Sequence, residues 1–172
     1  HYGVEPDIIC CGKGASSSLH LSIVLGSREI MDLCEIGSMS STHSANPMVC
    51  AAGKANLESL LEDDLIENSR TLGEIFHARL NEIKNRFPDH INCVSGKGLV
   101  AALIFNDPQN RPLVSLCNNI CESAMRRGLL VVHTGRESIK LAPPLTITKE
   151  ALLEGVRVLE ETIADYIEDE TK

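Results

Sequence analysis

Between Leu65 and Pro88, apolar residues recur at helical spacing: Leu65, Leu72, Ile75, Phe76, Leu80, Ile83 and Phe87. A stripe of that period makes an amphipathic helix, and such a helix is stable only where a second layer covers the stripe. The rest of the chain must supply that layer. A second stripe, Leu152, Val156, Leu159, Ile163 and Ile167, follows Thr148, a residue suited to capping a helix start. Between the stripes, residues 91–94, 99–105, 129–132 and 139–141 are short apolar runs of strand length. Residues 113–127 have helical periodicity and are stopped by Gly128. Strands and helices in this order predict a small α/β or α+β domain over residues 61–172. The acidic break Glu62-Asp63-Asp64 sits at its edge, which puts the boundary near residues 58–66.

Residues 1–60 read as part of a different domain. The chain opens on His1-Tyr2-Gly3-Val4-Glu5, with neither an initiator methionine nor a targeting signal. Ile8-Ile9-Cys10-Cys11 follows a proline and stops at a glycine, the pattern of a short strand buried on both faces. A second strand is expected over residues 21–25, closed by Gly26, and a short helix over 28–33. Asn46-Pro47 then starts a helix well, since asparagine caps free amides and proline is preorganised for the first turn.

Lys13 stands at the end of the first strand between Gly12 and Gly14, with Ser16, Ser17 and Ser18 just beyond. Glycines let a ligand come close to the backbone, and hydroxyls offer neutral hydrogen bonds to an anion. A Gly-Lys-Gly triplet is by itself usually a solvated turn, and the chain repeats it at Gly96-Lys97-Gly98. It is not a P-loop, because Gly14 follows the lysine where that motif needs a Ser or Thr.

With 43% hydrophobic and 23% charged residues, the chain has the composition of a folded, soluble protein. A net charge of −8 and 3% aromatic content argue against nucleic-acid binding, and no run is long enough for a membrane span. Seven cysteines, an odd number spread through apolar runs, fit a reducing cytoplasm better than a disulfide framework. Cys117 and Cys121 lie four apart on an expected helix; without a second ligand pair they read as buried thiols and not as a metal site.

The ordered motifs carry a more specific message. Gly3-Val4-Glu5-Pro6-Asp7-Ile8-Ile9 through Gly12-Lys13-Gly14, then Leu25-Gly26-Ser27-Arg28-Glu29-Ile30-Met31 and Ser41-Thr42-His43-Ser44-Ala45-Asn46-Pro47, resemble the class III pyridoxal-phosphate aminotransferases. The resemblance continues through Gly96-Lys97-Gly98-Leu99 and Ala142-Pro143-Pro144-Leu145. It implies the end of a fold-type-I, PLP-dependent transferase large domain over residues 1–60, followed by the small C-terminal domain. It also implies that the chain is the carboxyl-terminal portion of a longer protein.

By resemblance, Lys13 matches the family's Schiff-base lysine, which also moves the proton at the substrate α-carbon. Such a lysine must lose its own proton easily, and desolvation beside a buried strand favours that. Thr42 matches the threonine that reaches the cofactor phosphate of the neighbouring subunit, which implies a homodimer with shared sites. Lys140 stands two before Ala-Pro-Pro, where many members carry an arginine for the substrate carboxylate; a lysine offers a point charge without the planar fork. Arg136 lies nearby and is the alternative. His43, Ser44 and Ala45 replace the more usual aromatic-Gly-Gly of the Thr42 loop, His20 a common proline, and Ser17-Ser18 common glycines.

The implied activity is transfer of an amino group from an amine or amino acid to an oxo acid, with pyridoxal 5′-phosphate as cofactor. The family's pyridine-binding aspartate and phosphate-binding glycine-rich segment precede the lysine and are absent, so these 172 residues alone are expected to be inactive. A decarboxylase or aminomutase of the same fold is the nearest alternative. A non-catalytic dimerisation or interaction module that keeps the fold is the alternative from another class.

Overall fold

A computed structural model describes residues 2–169; His1 of the opening segment lies outside them. The chain divides into two compact units, the first ending at Asp64 and the second beginning at Leu65.

In the first unit, β1 (Ile8–Cys11) and β2 (Ile23–Gly26) form a two-stranded antiparallel ladder, with Ile8 opposite Gly26 and Cys11 opposite Ile23. A short helix, α1 (Arg28–Met31), follows directly, and after a run of turns comes α2 (Pro47–Glu62). The α2 start is built as its sequence demands. The Asn46 side-chain oxygen accepts from the amides of Met48 at 3.0 Å and Val49 at 3.5 Å, and Pro47 takes the first position. Such a cap contributes about 1 kcal/mol.

One expectation fails here. β1 is a strand but is not buried on both faces: Ile8 and Ile9 are 49% and 45% exposed. The reason is that its sheet has only two strands and no layer of helices covers either face within the unit. Among the described residues, only Ser16 and Gly53 of this unit are buried.

The second unit has the layered core that the stripes require. Four strands, β3 (Ile91–Lys97), β4 (Val100–Phe105), β5 (Val132–His133) and β6 (Ser138–Leu141), pair antiparallel in the order β3-β4-β6-β5. Three helices, α3 (Leu65–Arg86), α4 (Val114–Arg126) and α5 (Lys149–Asp169), pack together and against the sheet. Ala101, Leu103 and Phe105 of β4 alternate into this core with Ile139 and Leu141 of β6, where they meet Leu80 and Ile83 of α3 and Leu159 and Ile163 of α5. Burying each of the larger side chains contributes about 1.5–3 kcal/mol. The opposite face of the sheet carries Val100, Ala102, Ile104, Val132 and Lys140, none of them fully buried.

The helix ends follow local chemistry. Thr148 caps α5 by accepting from the Ala151 amide at 3.2 Å. At the other end of α4, Gly128 has a φ of +85°, its amide donates to Met125 and the Leu129 amide donates to Ala124. That closure explains a second departure from expectation. Residues 129–131 are not strand, because the Leu129 amide is already committed to the helix end, and β5 shrinks to two residues.

The second Gly-Lys-Gly triplet forms the β3–β4 turn region. Gly96 and Gly98 have φ of +121° and +58°, and the turn lies directly on α3. A Cβ added at Gly73 of α3 would stand 2.5 Å from the Gly98 Cα, and the Leu99 amide donates to the Ser69 hydroxyl at 3.3 Å. Helix and turn meet backbone to backbone because both contact positions are glycine.

Candidate active site

Lys13 opens a single turn of 3-10 helix, Lys13–Ala15, at the end of β1. Its side chain is exposed, so the desolvated setting expected from a buried strand is not supplied by the described residues. The amine makes no hydrogen bond or ion pair among the described residues. The flanking glycines differ from expectation too. Gly12 is extended, with φ of −157°, and the left-handed backbone falls on Lys13 itself, at φ +52°. Ser17 repeats this at +63°. A non-glycine residue in that region costs about 1–2 kcal/mol, so the surroundings must hold it there.

Three contacts do so. Ser16 is buried, and its hydroxyl donates to the Leu19 carbonyl, closing the turn from within. The Leu21 side chain packs on Gly53 of α2, where an added Cβ would be 2.6 Å away. One helical turn along the same face, the Asn56 amide nitrogen donates to the carbonyls of Gly14 at 2.9 Å and Ala15 at 3.3 Å. These bonds join residues 42 and 41 positions apart. The motifs gave no sign of Asn56, which is one of several polar residues of α2 beside Lys54, Glu58 and Glu62.

The backbone on either side of Lys13 is uncrowded. A Cβ at Gly14 would meet nothing within 4 Å, and one at Gly12 only the Leu21 carbonyl at 3.9 Å. Room of this kind next to an unpaired amine fits a ring aldehyde such as pyridoxal phosphate, and the serine hydroxyls nearby are neutral donors to an anion.

Thr42 lies in the turn before α2, exposed, with no hydrogen bond to its hydroxyl among the described residues. Ala45, where the family usually has glycine, takes φ of +52°. Lys140 sits on the uncovered face of β6, paired in the ladder with Ala102 and Val132, and is exposed. Arg136 is in the β5–β6 turn; its Nε is 3.5 Å from a Glu137 carboxylate oxygen, and its carbonyl lies 3.0 Å from His133 Nε2. Arg136, in the turn, and Lys140, within β6, thus belong to one hairpin. A separate cavity of about 290 Å³ in the second unit is lined by Phe76, Leu130, Pro143, Pro144, Val156 and other apolar residues, none of them ionisable. It offers no acid or base. Cys117 is buried in the core, where desolvation pushes its thiol up to about 12, and Cys121 is raised to about 11 by the same cause.

The chain is similar to known proteins. The family described as Aminotransferase class-III matches residues 1–163. The chain is 38% identical over 168 residues to the alanine/serine racemase of Pyrococcus horikoshii, covering 96% of this chain and 35% of the relative. It is 34% identical to the mitochondrial ornithine aminotransferase of Arabidopsis thaliana, covering 93% of this chain and 34% of that protein. Among solved structures, acetylornithine aminotransferase from Elizabethkingia anophelis superposes with a TM-score of 0.85 at 36% identity, over 95% of this chain and 40% of that one. Ornithine delta-aminotransferase of Plasmodium falciparum gives 0.82 at 30% identity, over 96% and 42%. The chain therefore spans roughly a third to two-fifths of the length of the relatives it matches. Across nearly its whole length, in sequence and in fold, it belongs to the class III aminotransferases.

Proposed function

We propose that the chain is part of a pyridoxal-phosphate-dependent aminotransferase that moves an amino group from an amine or amino acid to an oxo acid. The observation that carries the reading is Lys13, an unpaired amine between two glycines with open space beside it, within a segment that matches the family. When bound, the coenzyme supplies the electron sink for breaking bonds at the substrate α-carbon. Lys13 would hold the coenzyme through Nζ, and the same nitrogen would hold and return the α-carbon proton. Thr42 donates its hydroxyl to the coenzyme phosphate of the partner subunit, which makes the working form a homodimer. Its exposed, unbonded state supports that role.

Residues 1–60 form the end of the coenzyme domain and residues 61–172 the small domain, a division supported by the split of the chain into compact units after Asp64. Lys140, or Arg136 in its stead, receives the substrate carboxylate. Only Lys140 has no acidic partner among the described residues, which favours it over Arg136. Seven unpaired cysteines support a reducing compartment such as the cytoplasm. No helix among the described residues is long and apolar enough to cross a membrane.

A second reading has its own support, since one relative is named an alanine/serine racemase. Racemisation needs the same proton transfer without amino transfer. In the full-length protein, borohydride reduction with added pyridoxal 5′-phosphate should leave a pyridoxyl group on Lys13, and Lys13→Ala should lose both adduct and turnover. An unlabelled Lys13 in the full-length protein would end both readings. Products then separate them: a new amino acid from an oxo acid means transfer, and inversion of a single amino acid means racemisation. The 172 residues alone are expected to turn over nothing.

A further inference from the structure

We propose that Asn56 is a positioning residue for Lys13, holding the lysine turn in its left-handed conformation from across α2. The inference rests on the reading of Lys13 as the coenzyme-bearing lysine. Both Lys13 and Ser17 have positive φ without being glycine. A conformation of this kind persists only where neighbours over-determine it. Within the turn, the Ala15 amide donates to the Gly12 carbonyl at 3.1 Å and the Ser17 amide to the Gly14 carbonyl at 3.4 Å. These are bonds between close neighbours and cannot orient the turn relative to anything else.

The orientation comes from α2. The Asn56 amide has two N–H groups, and two carbonyls, of Gly14 and Ala15, receive them. The Gly14–Ala15 and Ala15–Ser16 peptide planes, the second and third after Lys13, are thereby tied to a helix whose own first turn is locked by Asn46 and Pro47. Gly53, on the same face, lets the Leu21 side chain settle against the helix and adds an apolar contact to the polar one. Together they fix the direction in which the Lys13 Cα–Cβ bond leaves the backbone. Asn56 reaches the backbone of the turn and not the amine, so it acts on the reaction only through where Nζ stands.

The test uses the full-length protein with pyridoxal 5′-phosphate. Asn56→Asp has nearly the same shape but sets carboxylate oxygens, which only accept, against two carbonyls. It is expected to move the pH midpoint of the absorbance change of the Lys13–coenzyme bond. In the coenzyme-free protein it is expected to speed amide hydrogen exchange in residues 15–18 by about tenfold or more. Asn68→Asp serves as the matched control, since Asn68 makes the same kind of double donation to the carbonyls of Leu145 and Ile147 inside the second unit. It is expected to lower thermal stability without moving the midpoint. Should Asn56→Asp not fold, Asn56→Ala is read by the same two measurements. An unchanged midpoint and unchanged exchange in residues 15–18, with Lys13 still labelled by borohydride, would overturn the proposal while leaving the proposed function standing. Loss of the label from the unsubstituted protein would instead remove the reading on which it rests.

Discussion

Leu80, Ile83 and Leu103 in the second unit are fully buried, whereas Ile9, Leu25 and Ile36 in the first, no less apolar, expose 45%, 52% and 107% of their surface. The difference lies not in composition but in layers. Three helices cover one face of a four-stranded sheet in the second unit, and the first has a two-stranded ladder without a cover of its own. An apolar run therefore announces a strand reliably, but its burial depends on partners that the run cannot specify.

That contrast can be broken most directly by truncation. Leu80→Ala should cost about 2–5 kcal/mol in urea unfolding of this chain, since it leaves a cavity in a closed core. Ile9→Ala should cost under about 1 kcal/mol, as a partly exposed position does. Equal costs would mean that the first unit is covered in solution, for instance by self-association.

Two helical glycines sharpen it further. At Gly73 an added methyl meets the backbone of Gly98, which cannot move aside, so Gly73→Ala should destabilise by about 1–3 kcal/mol despite the better helix propensity of alanine. At Gly53 the neighbour is the tip of the Leu21 side chain, which can turn away, so Gly53→Ala should shift the melting temperature little in either direction. A large loss at Gly53 would show that the first unit is packed as firmly as the second.

The thiols give a smaller signal. Because Cys117 is raised to about 12 when folded, against an ordinary value of 9.0, the unfolded chain loses its proton first as the pH climbs. Its stabilising effect is whole below about pH 9 and is lost between there and about pH 12. Melting temperatures measured upward from pH 8 should therefore fall, and Cys117→Ala should flatten the slope. At neutral pH, alkylation should reach Cys10, Cys34, Cys50 and Cys93, all exposed, well before Cys117; early labelling of Cys117 would contradict its burial. Ala45→Gly should stabilise the chain by about 0.5–1 kcal/mol, because it relieves a left-handed alanine and gives back part of the gain as lost backbone freedom. No gain would mean that the Thr42 turn relaxes without help.

What could be read in advance was chiefly local. The Asn46-Pro47 start, the Gly128 stop, the Thr148 cap and the α5 stripe depend on residues within a turn or two of each other, and each stands where the sequence indicated. Lys13 and Thr42 could be picked out only through the ordered motifs around them. The exposure of β1 and the left-handed backbone at Lys13 were not legible, since both depend on which distant segments are present and how they meet. Asn56 is the plainest case: nothing in its neighbours says that its partners are Gly14 and Ala15, more than forty residues earlier.

The same three letters, Gly-Lys-Gly, are thus used in two opposite senses within one chain. Around Lys97 the glycines take the unusual torsion angles and the lysine is an ordinary surface residue; around Lys13 the lysine takes the unusual angle and the glycines are merely slender. A text search retrieves both copies alike. The torsion angle of the middle residue separates them: it is left-handed at Lys13 and not at Lys97.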